Sequence, residues 1–267
     1  MTSPTTAVLD DLAAEHAGLD ALVAPLSPDA WLTPTPAEGW SVLDTIGHLA
    51  FFDERVSVAA AEPDRFRAEL AEVIADLEGF MNRAAVRARE LGPAGTLEWW
   101  RAERQGALSA LAAVPPGVRI PWYGPDMSVA SAATARLMET WAHGQDVVDA
   151  LGVERAPTAR LRHVALLCHK AFANSFLSHG LPVPEDSVRV ELTGPDGEVW
   201  EYGDPATPHV VRGSALDLCL LATQRRHRAD LALEATPGVA DQWLDLAQAF
   251  AGPGTHTDPT RAGLPVR

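Results

Sequence analysis

The sequence predicts an α+β fold in which a four-helix bundle comes first and a smaller α+β domain follows. Apolar residues recur at helical spacing through the first three-fifths of the chain, and proline-rich stretches divide that region. Alternating apolar and polar residues, which are typical of strands, begin only after about residue 180. The 267 residues, 47% of them hydrophobic, are enough to form one large domain or two modest ones with packed cores.

Prolines and capping residues delimit the first two helices. The first is predicted over residues 5–24, and PLSPDAWLTPTPAEGW, a break with four prolines, follows it. The second is predicted over residues 41–61. Ser41 is a suitable N-cap for this helix, and Asp44 in its first turn gives a capping-box-like arrangement.

Further helical regions complete the predicted bundle. Residues 63–91 predict one long helix or two short ones, ended by a Gly-Pro pair, and residues 96–114 predict another helix. Ser128 is placed to cap the next helix, which should end near Gly152 because glycine favours the left-handed conformation of helix C-termini. Four amphipathic helices of this length favour a bundle whose core is able to hold a site.

The second part of the chain predicts mixed secondary structure. SVRVELTG and EVWEYG alternate around the turn sequence PDG, which is the pattern of a β-hairpin, and HVVRG is a candidate third strand. Helices are predicted over residues 158–179, 214–224 and 240–250. We therefore expect a bundle domain in residues 1–156, an α+β domain in residues 157–252 and a flexible tail in residues 253–267.

Charge and cysteine content disfavour several classes of function. Asp and Glu outnumber Lys and Arg by 36 to 21, and the resulting net charge of -15 repels nucleic acids and anionic membrane surfaces. Cys168 and Cys219 lie in apolar helical runs without a CxxC pair, which predicts buried free thiols. Because no secretory leader or membrane-spanning stretch is recognisable, we expect a cytoplasmic protein whose partner is a small-molecule substrate.

The segment ARLMETWAHGQDV places a glutamate and a histidine on one face of a helix. Glu139 and His143 are four residues apart, so their side chains are able to bind one cation, or else form a solvated hydrogen bond. His48, in TIGHLAFFDER, lies beside an apolar stripe as either a core histidine or a third ligand. Two histidines and a carboxylate from two helices are a three-ligand set that leaves a coordination position open.

The ligand types narrow the choice of metal. Imidazole and carboxylate groups favour Zn²⁺ and also suit Ni²⁺, Fe²⁺ or Mn²⁺. Asp146, three residues after His143, and Asp44, four before His48, are candidates to orient the imidazoles, or else are surface charges. The sequence has no serine-hydrolase elbow, P-loop, dinucleotide-binding glycine pattern or HExxH motif.

An aromatic, proline-rich loop, VRIPWYGPDMS, precedes the helix that carries Glu139. Its Trp122 and Tyr123 either line an apolar pocket or form a packing plug, and the second interpretation is favoured for Trp122.

GWSVLDTIGHLAFFDERV, followed about ninety residues later by TARLMETWAHGQDVVDALG, resembles the DinB-like metal-binding bundle of the mycothiol-dependent maleylpyruvate isomerase family. WWRAER, PWYGPDMS, RLRH, LLATQRRHR and AQAFAG are similar to an actinobacterial branch of that family whose members are mostly uncharacterised. The resemblance covers nearly the whole chain. It implies His48, Glu139 and His143 as metal ligands, an α+β second domain, and mycothiol, the thiol cofactor that actinobacteria use in place of glutathione.

The resemblance also implies a type of chemistry. A divalent metal lowers the pKa of a bound thiol, and in the isomerase the thiolate adds to a conjugated acid so that a double bond is able to rotate. An arginine of the second domain lies near the metal in such families and is suited to binding a carboxylate. Arg225 and Arg226, in LLATQRRHR, are the candidates here, with His227 as a candidate proton donor; the alternative is a basic helix end.

Three hypotheses therefore follow from the sequence. The first is a metal-dependent enzyme that activates mycothiol for transfer to, or isomerisation of, a small electrophile with a carboxylate or carbonyl group. The second keeps the metal without mycothiol, as a hydrolase, lyase or cyclase of secondary metabolism. The third is a non-catalytic DinB-like metal-binding protein, because a fold does not fix a function. Both a monomer and a homodimer are compatible with the sequence.

Overall fold

The structure is a computed structural model that describes residues 3–250 and 252. It confirms the predicted α+β class, with helices as the main elements and two small sheets beside them. The chain divides into two compact units, Met1–Val153 and Glu154–Arg267. The tail predicted for residues 253–267 lies outside the described residues.

The first unit is mainly helical. Its helices are α1 (Pro4–Val23), α2 (Pro28–Trp31), α3 (Val42–Ala61), α4 (Pro63–Ala75), α5 (Leu77–Ala113) and α6 (Val129–Leu151). Its two short strands, β1 (Arg119–Ile120) and β2 (Met127–Ser128), pair antiparallel. Helix α3 packs along α5, and α1 packs along α6. Apolar side chains of all four long helices meet in one core, including Leu19, Ile46, Trp100 and Val147.

The region predicted as one long helix or two short ones forms α4 and the first part of α5. Helix α5 is interrupted at Gly92, whose φ of 68° and ψ of 179° are not helical. Glycine adopts a positive φ without steric cost, and the following Pro93 cannot donate a backbone hydrogen bond. The two residues therefore separate the two helical segments that the sequence predicts on either side of them.

Helix α3 begins at the predicted capping box. The amide of Asp44 donates to Ser41 Oγ at 3.3 Å, and the amide of Ser41 donates to Asp44 Oδ2 at 2.9 Å. Five residues into this helix, a Cβ atom on Gly47 would lie 2.5 Å from the Cβ atom of Ala88. A glycine at this position therefore allows α3 to approach α5 closely, directly before His48.

Three polar side chains from three helices are buried together in the first unit. His16 of α1, Asp53 of α3 and Arg136 of α6 are 2%, 0% and 3% exposed. Arg136 Nε donates to Asp53 Oδ1 at 2.8 Å, and His16 Nε2 lies 3.7 Å from Asp53 Oδ2. Burial is the main reason that the pKa of His16 falls from 6.5 to about 4. Its imidazole is therefore neutral at neutral pH.

The second unit combines helices with a mixed four-stranded sheet. Its helices are α7 (Leu161–Lys170), α8 (Phe172–Ser178), α9 (Ala215–Ala222) and α10 (Val239–Leu246), and its strands are β3 (Arg189–Thr193), β4 (Val199–Tyr202), β5 (Val210–Ser214) and β6 (Glu234–Ala235). The strand order is β4-β3-β5-β6. Strands β3 and β4 form the predicted antiparallel hairpin, β5 lies parallel to β3, and β6 lies antiparallel to β5.

Two predicted helices of the second unit differ from the observed ones. The helix predicted over 158–179 is divided at Ala171, whose backbone lies outside the α-helical region. The helix predicted over 240–250 ends at Leu246, where the next residue leaves the helical conformation. Neither break carries a glycine or a proline, so the sequence gives no local signal for it. Cys168 and Cys219 are free and buried, as predicted.

In the described part of the chain, no helix combines the length and the apolar character that a bilayer-spanning helix requires.

We predict that Ser41→Ala lowers the free energy of unfolding of the first unit by about 1 kcal/mol, because the first turn of α3 loses its capping hydrogen bond. Thermal unfolding followed by circular dichroism measures the change. The control is Ser109→Ala, at an exposed position within α5. A Ser41 variant as stable as the Ser109 variant would contradict the contribution of the cap.

We also predict that acid destabilises the protein through His16. Because its pKa is about 4 in the folded protein, against the ordinary histidine value of 6.5, the unfolded chain binds this proton first. The contribution of His16 to the free energy of unfolding is therefore constant above about pH 6.5. It falls by roughly 3 kcal/mol as the pH drops towards 4. With a chelator present for both proteins, the free energy of unfolding of His16→Gln should depend less on pH between about 7.5 and 5 than that of the wild type. Equal pH dependence would mean that His16 titrates freely in the folded state.

Candidate metal centre

The structure brings the three predicted ligands together in the first unit. His48 Nε2 lies 3.5 Å from Glu139 Oε2, and His143 Nε2 lies 3.4 Å from the same oxygen. One potential ligand atom from each residue lies within 4.8 Å of the others. The Glu139 side chain is 26% exposed and the His143 side chain 13% exposed, so the cluster is partly accessible to solvent.

Each ligand is placed by the helix that carries it. Glu139 and His143 are one turn apart on α6, as their spacing predicts, and both point towards His48 on α3. His48 reaches them because α3 packs against α6. Helical spacing is enough to bring Glu139 and His143 together on α6, whereas the position of His48 beside them depends on the packing of α3 against α6.

The electrostatics of the cluster suit a cation. Burial lowers the pKa of His48 from 6.5 to about 4, against the opposing effect of its hydrogen bond with Glu139. Burial alone would raise the pKa of Glu139, but hydrogen bonds with His143 and His48 outweigh burial and hold that pKa well below its usual value. At neutral pH the cluster therefore offers a neutral imidazole and a carboxylate, the protonation states that metal ligands require.

The donor set fits a divalent metal ion. Two imidazole nitrogens and one carboxylate oxygen match the three protein ligands of catalytic zinc sites, and the same atoms suit Ni²⁺, Fe²⁺ or Mn²⁺.

Asp146 lies where the sequence analysis places it as an orienting residue. Its Oδ2 atom is 3.0 Å from His143 Nδ1, and the carboxylate is buried. A hydrogen bond from Nδ1–H to this carboxylate leaves the Nε2 lone pair directed at the cluster. Asp146 therefore fixes the tautomer and the ring orientation of His143.

Asp44 takes neither of the two roles considered for it, since it is buried and not a surface charge, and its hydrogen bonds are made away from His48. Its carboxylate accepts hydrogen bonds from Ser41 and from Arg89 Nε, the latter at 2.8 Å, and in the described part of the chain it forms no hydrogen bond with His48. The reason is its position in the first turn of α3, where an acidic side chain folds back onto the helix start.

Aromatic rings cover the two imidazoles. The ring of Trp40 lies 4.9 Å from that of His48 and stacks on that of His143 at 5.7 Å, while Phe52 lies 4.7 Å from His48 on its own helix. Trp40 is not among the site residues predicted from the sequence. The available signal is its position directly before the Ser41 N-cap, where an apolar residue commonly packs onto the helix that follows.

The PWYGPDMS loop acts mainly in packing. Trp122 stacks on Phe66 at 5.7 Å with an interplanar angle of 11°, and Tyr123 packs between Phe66 and Phe80. This arrangement agrees with the packing plug favoured for Trp122. Tyr123 also reaches Phe52, at 6.2 Å between ring centroids, and so supports one of the rings that cover His48.

Arg225 and Arg226 lie in the second unit, directly after α9. The chain turns there at Gln224, which has a left-handed φ of 61°. Arg225 Nη1 donates to the Thr223 carbonyl at 2.6 Å, and Arg226 Nη1 donates to the Arg225 carbonyl at 2.7 Å. His227 caps the short 3-10 turn that follows, because its Nδ1 accepts from the Ala229 amide at 3.1 Å. The role of the two arginines stays a prediction.

A helical bundle with a two-histidine, one-glutamate cluster between its helices defines a candidate metal-binding class of protein. A sequence model of the mycothiol maleylpyruvate isomerase N-terminal domain matches residues 12–148. Uncharacterised proteins from two strains of Mycobacterium tuberculosis are 45% identical to this chain over 243 residues, which is 91% of this chain and 95% of theirs. The chain therefore belongs to the mycothiol maleylpyruvate isomerase family, as the resemblance implies.

Solved structures agree with this assignment at the level of the fold. The crystal structure of a mycothiol-dependent maleylpyruvate isomerase has a TM-score of 0.57 to this chain, and that of a mutant of the enzyme has 0.58. In both cases 89% of this chain and 97% of the other are covered, at 14% identity. The likeness shows a shared fold.

We predict that Asp146→Asn weakens divalent metal binding by about 10- to 100-fold, because the amide orients His143 less strongly than the carboxylate does. Competition with a chelating dye measures the dissociation constant. Asp149→Asn is the matched control, since this aspartate lies on the same helix and accepts a hydrogen bond from Gln145. Equal affinities of the two variants would exclude the orienting role.

Proposed function

We propose that this protein is a metal-dependent enzyme that activates mycothiol for transfer to, or isomerisation of, a small electrophilic substrate with a carboxylate or carbonyl group. The observation that carries the proposal is the convergence of His48, Glu139 and His143 in a chain of this family. The three side chains would hold Zn²⁺ or another divalent ion and leave one side of it open.

A bound divalent cation supplies Lewis acidity, which lowers the pKa of a coordinated thiol so that it is a nucleophile at neutral pH. The residues of the chain have separate tasks. Asp146 keeps the proton of His143 on Nδ1, and Glu139 balances the charge of the cation. The rings of Trp40 and Phe52 exclude water from the covered side of the imidazoles.

Arg225 and Arg226 are proposed to bind the substrate. A guanidinium group matches a carboxylate through two parallel hydrogen bonds, and it also stabilises negative charge that develops on a carbonyl oxygen. The left-handed turn at Gln224 ends α9, with the Arg225 amide donating to the Leu220 carbonyl at 2.8 Å, and it places both arginines just beyond the helix end.

A second candidate function keeps the metal and omits the thiol. Metal enzymes that activate water use the same three types of ligand. A hydrolase, lyase or cyclase is therefore compatible with the cluster. A non-catalytic metal-binding protein is the third alternative. In each case we propose a cytoplasmic protein that is a monomer or a homodimer, and in the first two cases it acts on a small-molecule substrate.

We predict that His48→Ala, Glu139→Ala and His143→Ala each remove stoichiometric metal while preserving the helical circular dichroism spectrum, because three ligands are needed to hold the ion. Elemental analysis of protein purified without chelator gives the metal content. His209→Ala, in the second unit, is the control and should retain the metal. Full occupancy in the three ligand variants would place the metal elsewhere.

Calorimetric titration of the metal-loaded protein with mycothiol separates the first two functions. We expect saturable binding that is lost in the metal-free His143→Ala protein. A metal-loaded wild type that does not bind mycothiol would favour the thiol-independent alternative, and a wild type without metal would contradict both.

A further inference from the structure

Two polar contacts join α3 to α6 in succession. The first is between His48 and Glu139, at 3.5 Å, and the second is between Asp53 and Arg136, at 2.8 Å. Moving five residues forward on α3 corresponds to moving three residues back on α6, as antiparallel helices require. With a rise of about 1.5 Å per residue, the second contact lies about one helical turn from the first.

Arg136 also binds the backbone beside a candidate ligand. While its Nε donates to Asp53 Oδ1, its Nη2 donates to the carbonyl of Leu49 at 3.3 Å. Leu49 directly follows His48. The planar guanidinium therefore spans the turn of α3 that directly follows His48, with one contact at Leu49 and the other at Asp53.

The burial of this pair indicates a role other than general stability. Asp53 is fully buried and Arg136 is 3% exposed. The free energy needed to remove two charges from water is about as large as the free energy gained from their attraction. A buried ion pair therefore adds little net stability compared with apolar residues. What such a pair does provide is a defined geometry, because a shift of either helix would leave a charge unpaired in the interior.

The geometry points to Asp53 and Arg136 as positioning residues of the metal centre, which set the rotation and height of α3 against α6 so that His48 meets Glu139 and His143. This inference rests on the proposed function, since it assumes that the three residues hold a metal. Arg136 contacts Asp53 and the backbone of α3, and we infer that the pair acts on the cluster through the position of the two helices. A purely structural role would change the stability of the bundle and leave the affinity and the ligand geometry of the site unaltered.

The test uses Co²⁺ alone as the probe, because its visible absorption reports ligand number and geometry. In Arg136→Lys the charge is kept and the two-point contact is lost. We expect the dissociation constant for Co²⁺ to rise by about tenfold or more, as for other residues that orient ligands, and the absorption bands to change in intensity. The helical circular dichroism spectrum should stay that of the wild type.

Arg55→Lys is the matched control. Arg55 lies on the same helix as His48, is 9% exposed and binds Glu69 of α4, which carries none of the three ligands. This variant should bind Co²⁺ with wild-type affinity and the wild-type spectrum. Arg136→Lys with the affinity and spectrum of Arg55→Lys would overturn the inference.

A second variant covers the case in which Arg136→Lys does not fold. Asp53→Asn keeps an oxygen that accepts the Arg136 Nε–H, and it should show a smaller rise in the dissociation constant with an altered spectrum. If neither variant folds while Arg55→Lys does, the pair is part of the scaffold and the positioning role is rejected. A wild type that fails to bind Co²⁺ would instead contradict the proposed function.

Discussion

The packing of α3 against α6 is the constraint on which the candidate site depends. Glu139 and His143 are neighbours on α6 for any α-helix, but His48 meets them only at one rotation and one height of α3. Local features of the chain serve this requirement. The Ser41 capping box sets where α3 begins, and Gly47 allows its close approach to α5.

Burial has different consequences at two positions along the interface between α3 and α6. At the cluster it keeps the imidazole of His48 neutral, so that its nitrogen lone pair is available to a cation. One turn away, burial makes a shift of either helix costly, because the shift would leave Asp53 or Arg136 with an unpaired charge in the interior. Glu139 is partly exposed, which is compatible with the open coordination position that the proposed function requires.

Much of the fold was predictable because its signals are local. Ser41, the prolines and the Gly92–Pro93 break delimit helices through backbone chemistry, and the PDG turn marks the β3–β4 hairpin. The division of α7 from α8 has no such signal, and the parallel pairing of β5 with β3 joins strands that are distant in sequence. Asp44 shows the limit of predictions from spacing. It lies four residues before His48, a spacing that allows contact on a helix, but its place in the first turn of α3 leads its carboxylate to bond with Ser41 and Arg89.

The amino-acid order alone was enough to place Glu139 and His143 on one helix face, to make Asp146 a candidate orienting residue, and to show the acidic, cysteine-poor character of the chain. These properties follow from residue type and helix geometry within a few residues. The packing of the folded chain was needed to bring His48 to the pair, to place Trp40 over both imidazoles and to set Arg136 along the turn of α3 that follows His48. Each of these contacts joins residues far apart in the chain, and side-chain packing between helices, which no local pattern encodes, brings them together.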